Sequence, residues 1–399
     1  MGELEKAGEL DHLEQIVGSS TGAVTGLFLA SGLTPEEIGK LVDELKKDDV
    51  TGKCKDFEKK YPGLLELRGT GFSATKALRL ADKKTALSVR SYLNRNWETI
   101  EEKHKDGTIK EDEYNRLQEL RRQTSGKHPP RSTQMITFKD LAILHRVAPT
   151  QFKELTITGW DKTKRELIYF NKETTPGMPI ALAGRISMAM PPIFKAVVYD
   201  PKDGKGVREF CDGGIGSNVP LGGVHGKEKG SKKKALAHTM VLAFDGFGKA
   251  QKRMEGTQSK TDKLFGRFRD KLAGRLLLGN PEYHKTTETD RENIHQLHRY
   301  RNVFVVGHGE MGTRDFDASD KMRAAAKEDA AKRAVEQIDK RKKRFLRKDF
   351  KDMDAVYEAL TEDEKAAILA SPPPLPKVGD PTSELEYELY QLVESKKRS

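Results

Sequence analysis

The sequence contains only two cysteines and no long apolar run. Cys54 and Cys211 supply no disulfide framework and suit a reducing compartment. Cys211 is expected to be a small strand residue and not a reactive thiol. No stretch approaches the roughly 18 apolar residues of a membrane span. The first residues also lack the basic and then apolar segments of a signal peptide. These absences argue against a disulfide scaffold and an integral membrane protein.

The composition is rich in charged residues and poor in apolar ones. The 399 residues are 33% charged and 36% hydrophobic, with a mean hydropathy of −0.70. A chain of this length can hold one large α/β domain of about 250–300 residues with appendages, and such a domain buries a sizeable core. We interpret the charge as long solvated helices around that core and not as disorder throughout.

The net charge of +11 predicts an anionic partner. Basic residues cluster at 227–234 and at 340–348, and Phe345 and Leu346 lie inside the second cluster. Each Lys or Arg close to anionic lipid contributes about 1 kcal/mol, so an anionic membrane surface is one expected partner. Solvated helix faces are the alternative interpretation. The basic runs lack interleaved aromatics and a recognisable binding module, so nucleic acid is not expected as a partner.

A glycine-flanked serine stands at a predicted strand-to-helix junction. The segment Gly18-Ser19-Ser20-Thr21-Gly22 follows a predicted strand over residues 12–17 and precedes a helical pattern that ends at residues 31–32. The glycines on both sides of Ser20 allow a sharp turn that exposes the hydroxyl. A serine there lies at the positive end of a helix, and the Thr21 N–H can meet a developing oxyanion. The pattern is that of a nucleophile elbow, although G-x-S-x-G alone also occurs by chance.

Asp212 is a second candidate site residue. It follows a predicted strand over residues 207–211 and precedes Gly213 and Gly214, which places its carboxyl on a tight turn that can approach a neighbour closely. If Asp212 reached the Ser20 hydroxyl, it could accept that proton directly, as a two-residue version of a catalytic triad. Because Asp-Gly is among the commonest turn dipeptides, an ordinary turn is the alternative.

Three blocks of the sequence together resemble the patatin-like phospholipases, serine acyl hydrolases that use a Ser-Asp dyad. They occur in the family's order within residues 1–320, so the joint match is more specific than any single motif. The blocks are Ile16 to Ala23, Ala181 to Pro191 (similar to the family's alanine-serine-proline helix), and Asp212 to Gly214 with Asn218 and Pro220. The resemblance implies a three-layer α/β sandwich with a mixed, largely parallel sheet.

The resemblance also implies roles for individual residues. Ser20 is expected to be the nucleophile and Asp212 the base, and no metal or organic cofactor is needed. Arg185 and Asn218 are expected to position the two loops. The remaining residues expected at the oxyanion site or in support of it are Thr21, Gly18, Gly22, Gly213 and Gly214.

One departure from the family concerns the oxyanion site. Family members carry a glycine-rich loop after a first strand, ahead of the elbow, whereas this chain opens at residues 1–8 with a segment that resembles the helix between loop and elbow. Loss of one oxyanion donor typically costs about 10²–10³ in rate. The expectation is either a chain that starts too late, by truncation or a misplaced start, or a degenerate member with little activity.

The whole chain is predicted to divide into a catalytic domain and a tail. We expect an acyl-hydrolase domain over residues 1–320, with a helical insertion or lid at 83–134, and a charged, basic helical tail at 321–399. Within the domain the patterns predict the following elements: a helix from 35 to about 46, charged helices over 84–122, a helix over 137–147, a hairpin of 154–158 with 166–170, and buried strands at 239–244 and 302–306.

Several other patterns have weaker functional interpretations. Residues 307–312 match G-x-G-x-x-G, but Glu310 would oppose a pyrophosphate and no second βαβ half follows, so dinucleotide binding is not expected. His295 and His298 share a helical face without a third ligand at metal spacing. A triad histidine could be sought among three positions, although a dyad needs none: His225, His238 and His308.

The predicted function is hydrolysis of fatty-acyl esters of glycerophospholipids or lysophospholipids through an acyl-enzyme. Two alternatives stay open: a catalytically impaired scaffold that associates with membranes, and an esterase for small soluble esters. The expected location is cytoplasmic with peripheral membrane association. Some bacterial relatives are effectors that need a partner to become active, so export and an activating protein partner stay open as well.

Overall fold

The structure is a computed structural model, and helices dominate the part of the chain that it describes. The described residues are 1–11, 13–54, 61, 63–122, 135–202, 204–224, 239–244, 280, 282–299, 302–306, 319–342, 353–373 and 381–398. Their helices are α1 (Gly2–Lys6), α2 (Thr21–Ala30), α3 (Pro35–Glu44), α4 (Lys47–Thr51), α5 (Thr75–Arg95), α6 (Trp97–Lys105), α7 (Glu111–Arg121), α8 (Phe138–Val147), α9 (Ile180–Ser187), α10 (Tyr283–Arg299), α11 (Asp320–Lys342), α12 (Met353–Ala359), α13 (Glu362–Ala370) and α14 (Pro381–Arg398).

The strands form a mixed sheet and a separate pair. They are β1 (Gln15–Gly18), β2 (Leu64–Arg68), β3 (Glu154–Asp161), β4 (Glu166–Phe170), β5 (Ala196–Tyr199), β6 (Arg208–Asp212), β7 (Val241–Phe244) and β8 (Val303–Val306). The sheet has the order β1-β3-β6-β5-β2, and β4 pairs with β3. The predicted α/β fold with a mixed sheet is confirmed.

Parallel pairing is less frequent in the described strands than the sequence led us to expect. β1 pairs with β3 in parallel, and so does β7 with β8. The other described pairs are antiparallel. In two of these pairs, β3 with β4 and β5 with β6, the strands follow each other through short connections, which suit antiparallel neighbours, whereas a parallel pair needs a long crossover.

Strand β3 brings the ends of β1 and β6 together. All but its first residue are buried, as is usual for a central strand. Gly18 at the end of β1 lies opposite Ile157, and Asp212 at the end of β6 lies opposite Gly159. The two strand ends are therefore two positions apart on one strand, although Ser20 and Asp212 are 192 residues apart in sequence.

Helix α2, which follows the serine, is buried on several sides. It contacts β1, β3, α3, α5 and α9, so its apolar residues do not form a single stripe. Its buried residues are Ala23, Gly26, Leu27, Phe28 and Ala30. Because the helix is enclosed by the sheet and by helices α3, α5 and α9, the position of its first turn is fixed by the core.

The helices predicted as an insertion or lid bury side chains in this same core. α5 already begins at Thr75 and contacts α9 and α7. Eight side chains from α5 to α7 belong to the main hydrophobic cluster: Leu78, Ala81, Val89, Leu93, Trp97, Ile100, Leu117 and Leu120. Residues 123–134 lie outside the described residues, and a lid function for the segment stays a prediction.

The chain divides into two compact units. The first contains the described residues within Met1–Val224, Ser259–Asp290 and Thr313–Ser319, and the second contains those within His225–Gln258, Arg291–Gly312 and Asp320–Ser399. In the second unit, α11 packs on β8, and α12 to α14 share a small apolar cluster that includes Val356, Leu360, Leu389 and Val393. The predicted division at residue 320 stays a prediction.

Several predicted features fall outside the described residues. These are the basic cluster at 227–234, residues 343–348 of the second cluster, the glycine motif at 307–312, and His225, His238 and His308. Residues 340–342 are helical, but their side chains are not described, and the same holds for His295 and His298.

Candidate active site

Ser20 occupies the strained position of the strand-to-helix turn. Its φ of 53° and ψ of −127° lie in a region that favours glycine. The expectation that the flanking glycines make the sharp turn was wrong, because neither Gly18 nor Gly22 has a positive φ. Gly18 instead allows close packing, since a Cβ there would lie 2.5 Å from the Cα of Ala23. The backbone strain is located at the serine itself.

The two glycines of the elbow therefore predict opposite mutational outcomes. Gly18→Ala would force the elbow off the backbone of α2, so we expect a loss of stability of about 1–3 kcal/mol, visible as a lower melting temperature. Gly22→Ala is the matched control, because no atom lies within 4 Å of the position that its new methyl group would take, and alanine favours the helix. Thermal unfolding of both variants tests this. Equal destabilisation by the two would contradict the packing assigned to Gly18.

The structure places Ser20 and Asp212 in direct hydrogen-bond contact. Ser20 Oγ donates to Asp212 Oδ2 at 2.8 Å, and the Gly214 N–H donates to the other carboxyl oxygen, Oδ1, at 2.7 Å. Asp212 is buried with 1% exposure, whereas Ser20 is half-buried. This arrangement holds a half-buried hydroxyl against a carboxyl that is shielded from water.

Burial changes the acid-base behaviour of this carboxyl. Desolvation raises the pKa of Asp212, the hydrogen bonds from Ser20 and from the Gly214 N–H lower it part of the way back, and the resulting pKa is about 7. A carboxyl with a pKa near neutrality is a better proton acceptor than an ordinary aspartate, yet is still substantially ionised at pH 7 to 8. Asp212 therefore has the proton affinity that a general base requires.

Ser187 is a site residue that the sequence analysis missed. Its hydroxyl, fully buried at the end of α9, accepts a hydrogen bond of 2.9 Å from the Ser20 N–H. Ser187 lies inside the Ala181 to Pro191 block. The resemblance of that block to the family's alanine-serine-proline helix is the signal that could have identified Ser187. Because the Ser20 N–H is engaged there, the neighbouring Thr21 N–H is the elbow donor that finds no acceptor among the described residues. Thr21 is exposed, so this donor can face a ligand.

The glycines after Asp212 are required by close contacts. A Cβ on Gly213 would lie 2.1 Å from Thr158 Oγ1, and one on Gly214 would lie 2.5 Å from Asn218 Oδ1. The Asn218 side chain donates from Nδ2 to the Gly214 carbonyl at 3.3 Å. Asn218 thus contacts the turn that carries Asp212 and does not contact Ser20 within the described hydrogen bonds.

Arg185 lies away from the dyad. Its guanidinium donates to the Ser73 carbonyl at 3.0 and 2.8 Å and to the Lys195 carbonyl at 2.9 Å, and it lies over the Phe194 ring. Burial lowers the pKa of Arg185 to about 9, so it is still a cation at neutral pH. Its described partners are two loop carbonyls, and neither Ser20 nor Asp212 is among them.

Neither a metal site nor a membrane-spanning helix occurs in the part of the chain that the structure describes. No group of three or more His, Cys, Asp or Glu side chains there is placed to hold a metal ion, and no described helix is long and apolar enough to cross a membrane. Cys211 is fully buried in β6, and desolvation raises the pKa of its thiol far above the usual value. The Cys211 thiol is therefore a packing residue.

The fold and the turn together define an α/β protein with a strained serine at a strand-to-helix turn, in contact with a buried aspartate. The family model for patatin-like phospholipase matches residues 2–225, which is more than half of the chain. The chain belongs to the patatin-like phospholipases, a family of lipid hydrolases. No curated protein matches the sequence closely enough to count as a relative.

Two solved structures are similar to this chain to different extents. VipD from Legionella pneumophila is similar with a TM-score of 0.52 and 18% identity, over 92% of this chain and 71% of VipD. ExoU from Pseudomonas aeruginosa, in complex with SpcU, has a TM-score of 0.43 and 17% identity, over 98% of this chain and 64% of that one. The likeness to VipD shows the fold, and the chain spans under two thirds of ExoU.

Proposed function

We propose that this chain hydrolyses fatty-acyl esters of glycerophospholipids or lysophospholipids, with Ser20 as nucleophile and Asp212 as general base. The observation that carries the proposal is the 2.8 Å hydrogen bond from Ser20 Oγ to a buried carboxyl whose pKa is about 7. Membership in the patatin-like phospholipases supports the lipid ester as substrate. The strained elbow supports the nucleophile, since such strain is retained where function requires it.

The reaction would proceed in two halves. Ser20 Oγ attacks the acyl carbonyl carbon while its proton passes to Asp212, and a tetrahedral oxyanion forms near the Thr21 N–H. The intermediate collapses, the glycerol oxygen leaves with the proton from Asp212, and an acyl-serine remains. Water then attacks the acyl-serine, gives its proton to Asp212, and releases the fatty acid as Ser20 regains the proton.

The substrate would be met at a membrane surface. The net charge of +11 favours approach to anionic lipid, and we propose peripheral association from the cytoplasmic side. No metal or organic cofactor enters the proposed steps. An activating protein partner and export as an effector stay predictions that only experiments with the purified chain and candidate partners can test.

Fatty-acid release tests the proposed substrate class. The purified chain is incubated with vesicles of phosphatidylcholine and phosphatidylglycerol, with lysophospholipid micelles, and with a short-chain p-nitrophenyl ester. Faster release from either phospholipid substrate than from the soluble ester supports the proposal. Preference for the soluble ester supports the small-ester alternative. Vesicle binding without any release supports the impaired scaffold.

The pKa of Asp212 predicts how activity depends on pH. Because the base must be ionised, kcat/KM should rise about tenfold per pH unit below pH 7 and level off above it. The measurement is the pH profile on the soluble ester, where lipid charge does not change. Asp82, on α5, is a second buried carboxyl whose pKa desolvation raises to about 7, so Asp82→Asn is the matched control and should keep the profile. A flat profile, or one that moves in Asp82→Asn, would contradict the role of Asp212.

A further inference from the structure

A buried aspartate on α10 binds the loop that follows the predicted base. Asp290 is 4% exposed. Its Oδ1 accepts hydrogen bonds from Ser217 Oγ at 2.7 Å and from the Val219 N–H at 3.1 Å. Its Oδ2 accepts one from the Asn218 N–H at 2.7 Å. One carboxyl thus satisfies three donors on three consecutive residues that belong to no helix or strand.

This loop touches both halves of the site. The Ser217 carbonyl accepts a hydrogen bond of 2.8 Å from Ser19 Oγ, next to the nucleophile. On the other side, the Asn218 side chain donates to the Gly214 carbonyl, and the Gly214 N–H donates to Asp212. With the Ser20–Asp212 bond, these contacts close a hydrogen-bonded ring, and Asp290 on α10 binds the loop segment of that ring.

The geometry of the ring indicates what Asp290 does, which is to hold residues 217–219 in place. The loop must hold the Asp212 turn and the elbow at the same time, and the buried N–H group of Val219 needs an acceptor. A carboxyl that accepts several hydrogen bonds fixes such groups more strongly than a neutral acceptor. The Ser20 conformation persists only where its surroundings over-determine it. Loss of the Asp290 contacts would therefore loosen both sides of the dyad together.

We propose that Asp290 is a positioning residue for the Ser20–Asp212 pair, a role that rests on the proposed function. It does not touch the reacting atoms. It holds residues 217–219 so that the elbow and the Asp212 turn keep the 2.8 Å contact between the two side chains. Misplacement of reacting groups by about 1 Å typically costs 10²-fold in rate, so a residue in this position affects kcat strongly.

The test is Asp290→Asn in the full chain, with Asp140→Asn as the matched control. An asparagine at 290 can keep the two donors at Oδ1 but opposes the Asn218 N–H with its own amide. Asp140 is 2% exposed and also accepts three hydrogen bonds, two from Arg116 and one from the Thr137 N–H. It has no described link to the ring. We expect kcat to fall about 10- to 100-fold in Asp290→Asn with KM changed less than threefold, and kcat to be unchanged in Asp140→Asn below its melting temperature.

A second measurement separates this proposal from the proposed function. Crystal structures of both variants give the distance from Ser20 Oγ to Asp212 Oδ2, whether or not the wild type is active. Lengthening beyond 3.5 Å in Asp290→Asn alone supports positioning, and an unchanged distance with unchanged kcat overturns it. If Asp290→Asn does not fold, Ser217→Ala is measured instead, because it removes only the hydrogen bond from Ser217 Oγ to Asp290. A kcat loss in Ser217→Ala without a KM change then supports the proposal, and wild-type kinetics overturn it.

Discussion

Replacement of Ser20 by alanine is expected to reduce fatty-acid release by at least about 10⁴-fold, because no other described hydroxyl contacts Asp212. The Ser20 N–H still reaches Ser187 in this variant, so the elbow should keep its shape. Release is measured on vesicles, and the nucleophile is tested separately by labelling with a fluorophosphonate. Wild-type chain should be labelled and Ser20→Ala should not.

A glycine at the same position separates catalysis from strain. Ser20 has a φ of 53°, and such a conformation costs about 1–3 kcal/mol for a residue with a Cβ. Ser20→Gly should therefore be as inactive as Ser20→Ala but melt at a higher temperature, even after the entropy cost of glycine of about 0.5–1 kcal/mol. Residual labelling of both variants, or equal activity of either with the wild type, would contradict the role of Ser20.

Asp212→Asn is expected to remove activity and to stabilise the protein at alkaline pH. Without a base, turnover should fall about 10⁴-fold. The folded-state pKa of Asp212 is about 7, above an unfolded value of about 3.9. The native state therefore holds a proton that the unfolded chain releases. Its contribution to stability is fully present below about pH 4 and is lost as the pH rises through 7.

The stability of Asp212→Asn should accordingly depend on pH in a definite direction. At pH 8 the variant avoids the buried charge and should be more stable than the wild type, by an amount on the order of 1–4 kcal/mol. At pH 4 the difference should be close to zero or slightly unfavourable. Thermal or urea unfolding at both pH values checks this. A variant less stable than the wild type at pH 8 would show that the carboxylate is not desolvated as described.

The sequence predicted much of the first unit because local patterns carried the information. The pattern over residues 137–147 predicted a helix, which the structure has as Phe138–Val147. The strand before Asp212 was predicted at 207–211 and is Arg208–Asp212. The α/β fold and the family were predicted from three short blocks. In each case neighbouring residues decide the outcome, through caps, turns and hydrophobic spacing.

Several contacts that build the site could not be predicted from the sequence. Ser187 and Asp290 are ordinary polar residues on helices, and nothing in their local sequence indicates that one accepts from the Ser20 N–H and the other binds residues 217–219. The sequence also assigned the sharp turn to Gly18 and Gly22, whereas the strained residue is Ser20. Backbone strain and buried hydrogen bonds depend on what packs against a residue from elsewhere in the chain.

The sequence by itself determined the elbow as a unit, the family and the presence of an aspartate on a glycine turn. The tertiary structure decided that these units meet. The register of β3 with β1 and β6 places Gly18 and Asp212 two positions apart, and burial gives Asp212 its raised pKa. The physical reason is that strand pairing and desolvation arise between segments distant in sequence, whereas turns and helix starts arise between neighbours.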